Sequence, residues 1–390
     1  MQSRRGFALL GAAALAAAVF AGCGSSDSST SSAGTTGGGS TQAAATNACA
    51  TAAQAVVDKA RAPVPLKLPT APLDLAKLKG KNLWMILAAQ TPFIQSIGKG
   101  FESAAKAAGM VPHVVSTPGD VTQMNEGVSR AVAQNADGIS LMGVAPASVA
   151  GPLAQAVAKG IPIVDTFATG TPNDPLGHSF AHVTADYGKS GVTMANWALA
   201  DSDCKAQLSI LSADGPFPNL KALVPATANE MKKQCPTDCK VTTDYFDIGK
   251  IATELGSQAQ SVLRRNPNTD YMFVALDAGV QFVGPALQQA GKTDVKVMGH
   301  DGVDQNLDDI RKGGGQDADM AFVPAAWIGW ATVDELGRAI LGEKPQDWTI
   351  PMRLIDKTNV GASNADIFPA YDGFETKFEQ AWKGDQGSSS

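Results

Sequence analysis

The feature that most constrains this chain is a repeat. From Lys81 the sequence alternates short apolar runs with amphipathic stretches, and after about a domain's length the alternation starts again. "NLWMILAA" (82–89) is a continuous apolar run, as expected of a parallel strand buried on both faces. Thr91-Pro92 then opens a helix, because proline suits a first turn where its missing N–H is not needed. Ile94, Ile97, Phe101, Ala104, Ala105 and Ala108 fall on one helical face, and Gly109 stops it. "VPHVVS", "ADGISLMG" and "IPIVDTF" read as the next strands, with helical patterns between them and Asp120 or Thr122 as a cap. "AQLSILSADGPF" begins the second round, followed by "KVTTDYF", "TDYMFVALD" and "VKVMGHDG". Pro92-Phe93 and Pro216-Phe217 hold matching places, as do Asp137 and Asp270, and Asp165 and Asp301. The spacing predicts an α/β fold of two doubly wound parallel-sheet lobes.

In open parallel sheets, ligands sit beyond the C-terminal strand ends. Two such lobes facing each other would line one cleft with both sets of ends. The candidate contacts are Gln90, Thr91 and Phe93; Asp165 and Phe167; Asp214 and Phe217; Asp277; and His300 and Asp301. Phe93 and Phe217 are read as rings brought to that cleft from opposite lobes. Trp327 and Trp330 read as core or hinge packing, with Trp327 kept as a candidate contact.

The N-terminus reads as an export address. "MQSRRGFALLGAAALAAAVFAGC" has a charged start, a short Ala-rich apolar run and small residues before Cys23. Ser3-Arg4-Arg5-Gly6-Phe7 resembles the twin-arginine motif, with the general secretion route as the alternative. Ala21-Gly22-Cys23 resembles a lipobox whose cysteine takes a lipid anchor; ordinary cleavage near Ala21 is the competing reading. Residues 24–46 are polar and Gly/Ser-rich, the composition of a flexible tether. The four remaining cysteines, Cys49, Cys204, Cys235 and Cys239, suit two disulfides in an exported chain, and three connectivities are open. Cys235 with Cys239 would close a local loop, leaving Cys49 for Cys204.

Other chemistries fail to assemble. The chain has 390 residues, a net charge of −6 and no long basic run, which argues against nucleic acid as a partner. There is no G-x-S-x-G elbow, no phosphate loop and no dinucleotide fingerprint, so neither catalytic residues nor a cofactor are assigned. No histidine lies close to the cysteines in sequence and no metal-ligand spacing occurs, so no metal is expected.

With these residues in view, the chain resembles the type I periplasmic binding proteins, and within them the ribose- and galactose-binding group of ABC importers. "GKGFESAAKAAG", "QNADGISLMGVAPASVAGPLAQAVAKGIPIVDT", "HVTADYGKSG", "ALQQAGKTDVKVMGHDG" and "AILGEKP" carry the resemblance by order and spacing. It implies a hinge of three strands near 184–186, 322–324 and 351–353. The expected organisation is a signal peptide with lipobox (1–23), tether (24–46), N-terminal extension (47–80), lobe one (81–184 plus 325–351), lobe two (185–324 plus 352–360) and C-terminal extension (361–390). It also implies roles: Phe93 as a stacking ring, Asp165 and Asp301 as acids, Phe246 as a second ring, and Asp277 where Asn or Asp is usual. Arginines common in the family are missing, which disfavours anionic cargo.

The resulting expectation is a monomeric, lipid-anchored, extracytoplasmic solute-binding protein. It would take a small neutral ligand, a monosaccharide or polyol, and deliver it to an ABC permease in the membrane. A cationic or aromatic small molecule, or a sensory role with a signalling partner, are the alternatives. Phe374, Phe378 and Trp382 have helical spacing, read as a terminal helix docked on a lobe.

Overall fold

Strand β1 (Asn82–Leu87) is buried along nearly its whole length. It lies between β2 (Val111–Ser116) and β3 (Gly138–Met142), parallel to both. Sheet one continues through β4 (Ile163–Thr166) and β5 (Ser179–Thr184) and ends on a short later strand, β11 (Trp348–Thr349). Sheet two holds β6 (Gln207–Asp214), β7 (Lys240–Asp247), β8 (Tyr271–Val274), β9 (Lys296–Asp301), β10 (Ala318–Phe322) and β12 (Met352–Asp356). All pairings are parallel except β10 with β12. The two sheets have the same strand order around their first members, so the repeat in sequence is a repeat in space. This computed structural model describes residues 39–169, 178–346 and 348–383. The readings for the signal peptide, for Cys23 and for residues 24–38 lie outside them.

Aspartates hold the strands in register. Asp137 accepts the Asn82 N–H at 2.7 Å and the Lys81 ammonium at 2.8 Å. Asp270 accepts the Gln207 N–H at 2.6 Å, the same bond in the second lobe. Asp317 does the same for Val297 at 2.8 Å. Each carboxylate supplies an acceptor to an N–H within the first two residues of a strand.

Helices α2 (Pro92–Ala107), α3 (Val121–Ala133) and α4 (Ala150–Ala158) flank sheet one. Thr91 caps α2 and Asp120 caps α3. Around sheet two lie α5 (Tyr187–Asp201), α6 (Pro218–Gln234), α7 (Ile251–Arg265), α8 (Asp277–Gln289) and α9 (Asp304–Lys312). The chain then returns: α10 (Ala325–Leu341) follows β10 of sheet two yet packs on α2 of lobe one. The chain passes between the sheets at 184–187, 322–325 and 349–352. There the Ile350 N–H reaches the Thr184 carbonyl at 2.8 Å.

The segments before and after this core are ordered. Helix α1 (Gly39–Arg61) includes the last residues of the stretch read as an unfolded tether. Ala43, Ala44 and Ala45 are strong helix formers that run on towards Ala48 and Ala50, so the helix has no reason to stop at them. Cys49 and Cys204 lie at disulfide distance, with Cα atoms 6.3 Å apart, as do Cys235 and Cys239 at 5.5 Å. Helix α11 (Phe374–Ala381) docks on α10: Trp382 stacks on Trp330 at 5.1 Å, and its indole N–H donates to Asp334 at 2.8 Å. Burying such a ring stabilises by on the order of 4 kcal/mol. The two terminal segments also pair, the Leu73 N–H donating to the Ala381 carbonyl at 2.9 Å.

The α2–α10 contact depends on missing side chains. A Cβ on Gly100 would sit 2.2 Å from the Ala326 oxygen, and one on Gly329 would sit 2.2 Å from the Phe101 nitrogen. These are backbone atoms and cannot rotate away. Gly329→Ala is therefore expected to cost about 3 kcal/mol through forced separation of the helices, read as a lower urea midpoint.

Candidate functional site

The C-terminal strand ends of both lobes meet at a cluster of rings. Phe93 begins α2 and stacks on Phe322, the last residue of β10, with centroids 5.0 Å apart. Phe167, just past β4, lies 5.0 Å from Phe322 and 6.0 Å from Phe93. Tyr187 opens α5, meets Phe167 edge-on at 5.7 Å and stacks on His300 at 5.2 Å. Two of these rings come from lobe one and the rest from lobe two. All are at most 6% exposed.

Two backbones are strained to place this cluster. Phe167 has φ +57° and Asp301 has φ +141°, a region that favours glycine. Each costs on the order of 1–3 kcal/mol, and such residues persist where surrounding structure over-determines them. They come from opposite lobes and reach the same place. Gly302 follows Asp301 at φ +78°, and a Cβ there would meet the Ala321 backbone at 2.8 Å.

Burial works against charge on the polar groups here. Burial lowers the His300 pKa to about 3, so its imidazole is neutral. Its Nε2 shares a hydrogen bond with the Ser190 hydroxyl at 2.8 Å. Burial, then the neighbouring Asp277 carboxylate, pushes Asp301 well above the usual carboxylate range. Burial and then Asp301 raise the Tyr187 phenol, whose side chain also bonds with Asn219. None of these residues is a lysine or arginine. Among the described residues no His, Cys, Asp and Glu group could hold a metal, and no helix is long and apolar enough to cross a membrane.

Beside the rings a cavity of about 320 Å³ opens between the lobes. Gln90, Thr91, Pro92 and Pro118 line it from lobe one, and Ile248, Gly249, Ile251, Ala278 and Phe282 line it from lobe two. The lobes touch at its wall. Gly119, at φ +97°, faces Ile248 so closely that a Cβ would stand 2.6 Å from Ile248 Cγ2. A Cβ on Gly249 would stand 3.2 Å from the Pro118 oxygen.

The expected site residues divide. Phe93, Phe167 and Asp301 are brought together, and Gln90 and Thr91 line the adjoining cavity. Phe246 is buried at the end of β7. Phe217 and exposed Asp214 line a different cavity of about 340 Å³ with Lys221 and Tyr245, inside lobe two. Among the described residues Phe93 takes its ring contacts from Phe167 and Phe322, so Phe93 and Phe217 are not a facing pair.

Three assignments are corrected by the geometry. Asp165 is fully buried inside β4 and spends its oxygens on its own loop: the Ala168 N–H at 2.5 Å, the Thr169 hydroxyl at 2.9 Å and His182 Nδ1 at 2.9 Å. It clamps the turn that carries Phe167 and is not open to ligand. Asp277 is fully buried, accepts the Val303 N–H at 2.7 Å and lies against Asp319, whose carboxyl is raised by burial and by Asp277. Trp327 is fully buried against Trp348, Tyr371 and Phe378, with its N–H on the Lys67 carbonyl at 3.1 Å, away from the cleft.

Tyr187 and Phe322 were not singled out from sequence. Both sit where the chain crosses between sheets, so neither has a counterpart in the repeat. A signal existed in "MAFVP": an aromatic at the end of an apolar run, near a proline at the strand's close, as Phe93 also stands beside a proline.

Two lobes whose C-terminal strand ends meet at one ring-lined cleft have the architecture of an interlobe binding site. A family profile described as periplasmic binding protein domain matches residues 84–344, and the chain belongs to that family. The D-apiose import binding protein of Actinobacillus succinogenes is 24% identical over 231 residues, 57% of this chain and 70% of that protein. A glucose-galactose binding protein from Geobacillus stearothermophilus superposes with TM-score 0.63 at 16% identity, covering 73% of this chain and 99% of its own. An ABC transporter solute-binding protein from Burkholderia graminis, in complex with D-arabinose, gives 0.65 at 20% identity, with 73% and 98% covered. The family is one of extracytoplasmic solute-binding proteins of sugar and polyol ABC transporters, which bind cargo and do not transform it.

Two predictions follow from the site chemistry. Asp165→Ala takes the acceptor from two buried donors, the Ala168 N–H and the Thr169 hydroxyl, and should lower unfolding free energy by about 2–4 kcal/mol in urea titrations. For His300, the folded pKa of about 3 lies below the ordinary 6.5. The unfolded chain therefore takes up a proton that the folded one refuses, and this contribution to stability is lost as pH falls from about 6.5 towards 3. His300→Gln keeps a partner for Ser190 and removes that term. The fall in Tm between pH 7 and pH 5 should be smaller in the variant than in the parent.

Proposed function

We propose that this protein captures a small uncharged sugar or polyol between its lobes and hands it to an ABC permease. The observation that carries the reading is the convergence of Phe93 and Phe167 with Tyr187, Phe322 and Asp301, from opposite lobes, on a centre without a cationic side chain. Ring faces suit the C–H faces of a sugar. A carboxyl group and a neutral imidazole answer hydroxyls. Among the described residues no guanidinium joins the ring cluster to hold a carboxylate or phosphate. Relatives whose names and titles speak of apiose import and of bound arabinose support the same class of cargo.

Capture exchanges ring-on-ring contacts for ring-on-ligand contacts. Closure is then driven by whatever extra affinity the ligand has for the closed arrangement. Export with lipidation at Cys23, tethering to the outer face of the membrane, and disulfides Cys49–Cys204 and Cys235–Cys239 in a monomer belong to the same proposal. The near-disulfide placement of both cysteine pairs supports the oxidising location.

A thermal-shift screen of sugars, polyols, amines and carboxylates on the chain lacking its first 23 residues tests the reading. Neutral sugars or polyols should raise Tm by several degrees, and Asp301→Ala or Phe93→Ala should abolish the shift. Asp214→Ala should leave it intact. Stabilisation by carboxylates or amines alone would sink the proposal. Gly119→Ala meets Ile248 at the lobe contact and strains a backbone held at φ +97°, so it should weaken binding at least about tenfold in calorimetry and also lower the Tm of the unliganded protein.

A further inference from the structure

We propose that the ligand carries an apolar substituent, an aryl or short alkyl group, that lies in the interlobe cavity walled by Pro92, Pro118, Ile248, Ile251 and Phe282. This rests on the reading of the cleft as a sugar or polyol site and specifies which members of that class it takes.

The cavity measures about 320 Å³, and among the described residues no ionisable side chain lines it. Among the described residues its only polar side chains are Gln90, Thr91 and Gln281, and apolar surface makes up the larger part of its lining. The Thr91 hydroxyl oxygen is already engaged with the Ile94 N–H, as the cap of α2. A bare hexose carries a hydroxyl on nearly every carbon. Placed here, most of those hydroxyls would lose water without gaining a protein partner, which is unfavourable for each one. An apolar group loses nothing in the same place. A cavity of about 150 Å³ is enough to admit benzene, so this one has room for a ring and its linking atoms.

The cavity is also placed for such a group. Gln90, Thr91 and Pro92 run directly into Phe93, so it adjoins the ring cluster where the sugar would sit. Its walls come from both lobes, and the lobes meet there at Gly119 and Ile248. An apolar group in this position touches both walls only when the lobes are closed. It therefore adds to the drive for closure as well as to affinity. The ligand class is a glycoside or an aryl- or alkyl-substituted polyol, with its hydroxylated part at Asp301 and its apolar part in the cavity.

Calorimetry with matched sets tests this: each free pentose or hexose, its methyl glycoside and its phenyl glycoside, with benzyl alcohol alone. Ala252→Phe supplies the control. Ala252 is exposed on α7 and lines the cavity, so a ring there fills the space without entering the core. In the parent protein one phenyl glycoside should bind at least about tenfold tighter than its free sugar. In Ala252→Phe, with Tm unchanged, that advantage should vanish while free-sugar affinity stays. If phenyl glycosides bind no tighter than free sugars, the inference is overturned and the sugar reading stands. If the advantage survives in Ala252→Phe, the apolar group lies elsewhere and the inference is overturned. If benzyl alcohol binds and no sugar or glycoside does, the sugar reading falls, and this inference falls with it.

Discussion

The stack of Phe93 on Phe322 joins a ring from the first helix of one lobe to the strand that leaves the other. Everything at the cleft is arranged around that contact. Phe167 and Tyr187 close on it from either side, and two backbones adopt unfavourable φ angles to bring Phe167 and Asp301 up to it. Aromatic pairs at these distances contribute about 1 kcal/mol each beyond burial, comparable to the strain at one residue. The centre of the cleft is thus weakly held together by its own rings. A ligand can replace those contacts one for one, whereas an apolar core of branched side chains would have to be broken open.

Charge is managed differently at the strand starts and in the interior of lobe two. At the starts, Asp137, Asp270 and Asp317 lie near surface lysines and secure an N–H within the first two residues of a neighbouring strand. Asp277, Asp301 and Asp319 are instead sunk in lobe two, where desolvation, joined at Asp301 and Asp319 by the neighbouring Asp277 carboxylate, raises their pKa values. The same residue type secures strand register where it is half-buried and forms a cluster of raised carboxyls where it is buried.

The alternation of apolar runs with helical stripes was enough to read the two lobes, because parallel strands buried on both faces leave an unbroken signal. Positions past the strands could be read too, and Phe93, Phe167 and Asp301, read that way, lie together at the ring cluster. Asp165 was misread because the rule counts from the end of an apolar run. The strand actually continues through Thr166, which puts Asp165 inside it, facing its own loop. Tyr187 and Phe322 escaped because the crossings between lobes are not repeated. Trp327 could not be placed because what covers it, residues near 67 and 371–378, is distant in sequence and shows no periodic link to it.

The terminal segments also bear on where this protein can be cut. Helix α10 turns Trp327 and Trp330 towards Tyr371, Phe374, Phe378 and Trp382, while Leu73 and Leu75 hydrogen-bond to the end of α11. The region shared with the family stops before these elements on both sides. Trimming the chain to that region would uncover a contiguous indole- and phenyl-rich surface on lobe one, of the kind that makes soluble domains self-associate. The folding unit of this protein is therefore longer at both ends than the region matched to its family, and proteases that remove either tail would yield an aggregating fragment rather than a smaller working domain.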